Sequence, residues 1–188
     1  MELPVQTFPS PEAWRAWLHD HRTDQAGLWI KIAKKASGIP TVTYAEALDV
    51  ALCYGWIDGQ KKSFDQSYFL QKFTPRRPRS LWSQVNQGKV AELIERGLMQ
   101  PSGLAEIDRA KADGRWEAAY ASPRNMVVPD DLVAALAANP VARAFFESLN
   151  KTNRYSIVSR IQMAKRPQTR AARIATFVAM CEQGEKLY

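Results

Sequence analysis

Histidine and cysteine are scarce in this chain. Two of each occur in 188 residues, and the shortage removes several chemistries at once. Cys53 and Cys181 stand outside any Cys-x-x-Cys or Cys/His cluster, so they read as small core residues. His19 and His21 flank Asp20 near the end of the first expected helix. Two positions apart, they do not share a helix face, and a histidine at a helix C-terminus is accounted for by the dipole. No metal site and no Ser–His–Asp set is expected. A Gly-rich phosphate loop, a GxSxG and an HExxH are also missing, which leaves hydrolase and nucleotide-binding readings without support and implies no cofactor. No apolar run approaches the ~20 residues that span a bilayer. The start, MELPVQTFPSPEAW, has neither a basic n-region nor an apolar core, so a soluble, cytoplasmic protein is expected. Internal repeats and low-complexity tracts are absent too.

What is present is an ordinary globular composition, with 46% apolar and 24% charged residues. A chain of this length buries roughly 70% of its unfolded surface and needs no metal or disulfide to fold. The formal charge is +7, unevenly spread. Residues 61–80 carry Lys61, Lys62, Lys72, Arg76, Arg77 and Arg79 against Asp65 alone, a balance of +5. Residues 151–173 carry Lys151, Arg154, Arg160, Lys165, Arg166, Arg170 and Arg173 and no acid, a balance of +7. The rest of the chain is therefore acidic. Such asymmetry suggests a directed anion site, and equally a solvated basic face that maintains solubility.

The patterns predict an α+β fold. Ser10 and Pro11 open a helix whose Trp14, Trp17 and Leu18 share a face. Leu28–Ile32 reads as a strand. Thr43 and Glu46 have capping-box spacing for a second helix, and Gly55 ends it. Trp56–Gln60 leads into a second strand, unless Asp58-Gly59 is a turn, and Tyr68–Phe73 is a third, stopped by Pro75. Three short strands joined through helices imply a small three-stranded antiparallel sheet with helices on one side. A helix follows from Ser80 or Ser83 to Gly97, and another from about Leu104 to Ala112, closed by Gly114. Residues 121–129, with Pro123 and Pro129, read as a linker or a buried crossing segment. Beyond them every pattern is helical, with starts at Pro129-Asp130, Asn139-Pro140, about residue 152, and Pro167. The division expected is an α+β part over 1–120 and a helical bundle over 121–188, packed as one unit.

Chemistry concentrates in three places. In FTPRRPRSLWS, residues 73–83, Arg76, Arg77 and Arg79 precede a helix start among Thr74, Ser80, Trp82 and Ser83. A helix N-terminus favours an anion, guanidinium forks bind phosphate or carboxylate, and tryptophan stacks on a guanidinium or a flat ligand. The alternative is a basic loop pinned by ion pairs to acids such as Asp58 and Asp65. In IQMAKRPQTRAARI, residues 161–174, Arg170 and Arg173 share a helix face. Arginine in a first turn opposes the dipole, so a bound anion or a carboxylate must offset it. In CYGWIDG, residues 53–59, Asp58 beside Trp56 is the candidate acid or base, or else a turn-forming or arginine-pairing aspartate. Basic stretches with aromatics between them also permit nucleic acid, although no recognition motif appears.

Together TYAEALDVALCYGWIDGQKKSFD (43–65), FTPRRPRSLWSQVN (73–86), GLMQPSGLAEIDRAKADGRW (97–116) and FFESLNKTNRYSIVSRIQMAKRPQTRAARI (145–174) resemble the YdeI/OmpD-associated, bacteriocin-protection family of bacterial proteins. Gln168 departs from tails that often carry Glu there, leaving the surroundings of Thr169 and Arg170 more basic. The resemblance implies a bacterial protein of bacteriocin protection or porin association, and no known reaction. It brings Asp58, Arg76, Arg77, Trp82, Ser83, Asn86, Lys165, Thr169 and Arg170 forward as motif positions. The function expected is non-enzymatic stress or antimicrobial-peptide protection through a small anion, phosphate or carboxylate, or an acidic protein partner. The two basic stretches, including Arg173, are expected to meet around that anion. The alternatives are an enzyme using Asp58 with an arginine clamp, and a protein- or nucleic-acid-binding module.

Overall fold

A computed structural model describes residues 3–21, 26–121, 126–164 and 166–188. The chain divides into two compact units, residues 1–119 and 120–188.

The first unit is built on a sheet of four strands, β1 (Val5–Gln6), β2 (Leu28–Ala33), β3 (Trp56–Ser63) and β4 (Tyr68–Pro75), in the order β1-β2-β4-β3. The α+β expectation holds, but the sheet is neither three-stranded nor wholly antiparallel. β1 runs parallel to β2, with Val5 opposite Trp29 and Gln6 opposite Ile30. Two residues are too few to show the period-2 alternation that marks a strand in sequence. β2–β4 and β4–β3 are antiparallel. Asp58-Gly59 is not a turn: β3 passes through it with a register shift between Asp58 and Lys61. The buried Gln71 amide donates to the carbonyls of Gly59 at 2.9 Å and Gln60 at 3.3 Å. It thus satisfies acceptors that the irregularity removes from the ladder.

Helices α1 (Pro11–His21) and α2 (Tyr44–Cys53) form where the caps foretold. Ser10 Oγ accepts from Ala13 N–H at 3.3 Å, and Thr43 and Glu46 close a reciprocal capping box. The apolar stripe of α1 places Trp14, fully buried, 5.9 Å from the Phe73 ring and 6.1 Å from Trp56. Trp14 Nε1 donates to Ala47 O at 3.1 Å, which fixes α1 on α2. His21 stacks on Trp17 and bonds its carbonyl through Nδ1. Helices α3 (Gln84–Glu95), capped by Ser83, and α4 (Pro101–Ala112) complete the unit. Cys53 is buried in this core.

The second unit holds α5 (Asp130–Ala137), α6 (Pro140–Ser148), α7 (Lys151–Gln162) and α8 (Pro167–Glu182). Their amphipathic stripes bury Leu132, Leu136, Phe146, Ile157, Ile161, Phe177 and Cys181 in a core of their own. Pro129 directly precedes α5, while Pro123 lies outside the described residues. No helix among the described residues is long and apolar enough to cross a membrane.

Candidate functional site: the arginine turn

β4 carries the chain to Pro75, and the next eight residues fold into a braced turn. Arg76 N–H donates to Gly55 O at 3.0 Å. Ser80 N–H returns to Arg77 O at 2.9 Å, and Arg77 N–H donates to Ser80 Oγ at 2.9 Å. Pro75 and Pro78 lower the entropy of ordering this segment. Ser83, not Ser80, starts the helix, its Oγ accepting from Asn86 N–H at 3.1 Å. Trp82, Ser83 and Asn86 are all buried at this junction.

The arginines of the turn have different fates. Arg76 is buried, with its guanidinium carbon 3.5 Å from the Trp82 ring centroid and Nη1 donating to Leu81 O at 3.1 Å. Arg77 and Arg79 are exposed. Their side chains have no hydrogen-bond or ion-pair partner among the described residues.

A fourth arginine, which sequence reasoning missed, supports the turn. Arg115 donates from Nε to both Asp113 oxygens, at 2.7 and 2.8 Å, and from Nη1 to Ser80 O at 2.8 Å. Its Nη2 is buried with no acceptor among the described residues. Trp116 follows, 4.8 Å from the Trp82 ring, with its carbonyl held by Gln87 Nε2 at 2.7 Å. The only sequence signal was the Gly-Arg-Trp triplet at 114–116, 35 residues from Ser80.

The acids expected to pin this loop are engaged elsewhere. Asp58 Oδ2 accepts from the Tyr44 hydroxyl at 2.8 Å. Asp65 Oδ1 accepts from the N–H groups of Ser67 and Tyr68, both at 2.7 Å. Trp56, at 1% exposure, packs edge-on against Trp14 and Trp17 and belongs to the core.

In the second unit Arg170 is an internal clamp. Nε and Nη2 fork onto Asp131 at 2.5 and 2.9 Å, and Nη1 donates to Ile161 O at 3.1 Å. The charge opposing the α8 dipole is thus offset by a carboxylate of the same unit, which lowers the pKa of Asp131 through that hydrogen bond above all. Arg173 Nη1 donates to Arg160 O. Thr169 is exposed, and Lys165 lies outside the described residues. Among the described residues no group of three or more His, Cys, Asp or Glu is placed to hold a metal.

The turn, whose exposed Arg77 and Arg79 have no ion-pair partner among the described residues, follows a small mixed sheet in the first unit, and the helical unit follows it in sequence. The chain belongs to a family described as a domain of unknown function (DUF8412), whose model matches residues 6–106. Residues 125–184 match the model described as Bacteriocin-protection, YdeI or OmpD-Associated, the family that the tail motif resembles. The motifs between 43 and 106 lie in the first match, so the bacteriocin-protection match covers the tail alone. No curated protein and no solved structure matches the chain.

Proposed function

We propose that the protein is a non-enzymatic, cytoplasmic binding protein that takes the phosphate or carboxylate of a small ligand or acidic partner at the arginine turn. Its role would be protection against bacteriocins, as the description of the tail family suggests. One observation carries the reading: Arg77 and Arg79 stand exposed on a braced turn, and no acid among the described residues answers them. Like charges two residues apart repel one another, and an anion between them relieves that repulsion while adding charge-assisted hydrogen bonds. Arg115, itself paired with Asp113, braces the turn by donating to Ser80 O. The proposal asks nothing of Arg170, which Asp131 already holds.

Calorimetric titration with inorganic phosphate and with an oligoglutamate peptide tests it. At least one of them should bind, with an affinity that falls as salt rises. The double variant Arg77→Ala/Arg79→Ala should weaken that binding tenfold or more, about 1.4 kcal/mol. Unchanged affinity in the variant, or no binding by either ligand, contradicts the proposal.

A further inference from the structure

The basic stretch 61–80 does not form one patch, because β4 separates its ends. Phe69 and Pro75 are six residues apart on this strand, roughly 20 Å at strand rise. The arginine turn lies at the Pro75 end. At the other end, Lys34 and Lys35 from the segment after β2, Lys61 and Ser63 from β3, and Phe69 from β4 line an open cleft of about 600 Å³. That volume lies within the range of small-ligand sites.

The walls and the rim of this cleft differ in chemistry. Phe69 is half-buried and directly opposite Ile32, so it lies on the face that also carries Phe73. Lys61, opposite Gln71, shares that face, and its Nζ stands 4.2 Å from the Phe69 ring centroid. The aromatic ring therefore holds this ammonium in position. Lys34 Nζ donates to the Asp65 main-chain carbonyl at 2.8 Å, which fixes a second ammonium and leaves it further N–H donors. Lys35 is exposed and has no side-chain partner among the described residues. No acidic residue lines the cleft among the described residues. Lysine stems and the ring supply apolar wall, and each of the three lysines brings an ammonium group to the cleft.

We infer that this cleft is a second binding site, separate from the arginine turn, for a phosphate monoester carrying a small apolar group. Three ammonium groups with no ion-pair partner among the described residues suit a phosphate dianion, and the Phe69 ring with the lysine stems suits the ester's apolar body. A bare phosphate would use the rim and leave the wall empty.

Phenyl phosphate and inorganic phosphate, titrated into the intact chain at pH 7.5 and followed by NMR at Lys35, Lys61, Ser63 and Phe69, test the inference. Phenyl phosphate should give saturable shifts there and bind at least fivefold more tightly than phosphate. Lys61→Met keeps the stem and removes the charge, and should weaken phenyl phosphate at least fivefold. Lys35→Gln, at an exposed position that leaves the fold untouched, should weaken it at least twofold. The Arg77→Ala/Arg79→Ala chain should retain the cleft shifts, which separates this site from the arginine turn. No saturable shift at the cleft, equal affinity for the two probes, or unaltered binding in both lysine variants overturns the inference.

Discussion

The Arg76 guanidinium lies flat enough on Trp82 for its central carbon to sit 3.5 Å from the ring centroid. Both residues are buried, so this pair is part of the frame that holds the turn rather than a ligand contact. Desolvated cation–π contacts contribute about 2 kcal/mol. Arg76→Lys, which loses the planar stack, should lower unfolding free energy by that order in urea. A variant as stable as the parent would show that the stack does not brace the turn.

Gly103 in α4 faces the C-terminal end of α2, where a Cβ would stand 2.2 Å from the Cys53 carbonyl oxygen. Gly88, mid-helix in α3, would place such a Cβ with nothing within 4 Å outside its own stretch of helix among the described residues. Gly103→Ala should therefore cost about 2 kcal/mol or more through overpacking. Gly88→Ala should gain up to about 1 kcal/mol from helix propensity. Thermal melts of the two variants should move in opposite directions.

The Arg170 fork holds the Asp131 carboxyl below its ordinary pKa. A depressed carboxyl stabilises the folded state fully above its unfolded-chain value, and that contribution disappears as pH falls through the folded value. The pair is part-exposed, with side chains 28% and 44% accessible, so its contribution is about 0.5 kcal/mol. Asp131→Asn should lower stability by this amount at neutral pH. The gap from the parent should close on acidification below the usual aspartate range.

Burial raises the pKa of both Cys53 and Cys181, so little thiolate exists at neutral pH. Neither thiol should react with an aromatic disulfide reagent within minutes in the folded protein, and both should react in denaturant. Rapid reaction of either thiol in the native chain would contradict its burial.

Local contacts are written in the sequence, and distant ones are not. Caps at Ser10, Thr43, Ser83 and Asn139 involve partners three residues away, so helix starts were legible. β1 was not, because its two residues take their pairing from Trp29 and Ile30, more than twenty positions on. The arginine stretch was visible as charge. Its division into a buried Arg76 and exposed Arg77 and Arg79 depends on Trp82, Gly55 and Arg115, which only the folded chain assembles. The need to offset Arg170 was readable from the helix dipole. That Asp131 meets it, 39 residues earlier, was not.

The most direct test follows the Arg77 and Arg79 side-chain Nε–H resonances while inorganic phosphate is added at low ionic strength. Saturable shifts at both arginines and at the Ser80 amide, suppressed by 0.5 M salt, are expected. Resonances at this turn that stay still, or drift linearly without saturating, would contradict the central claim.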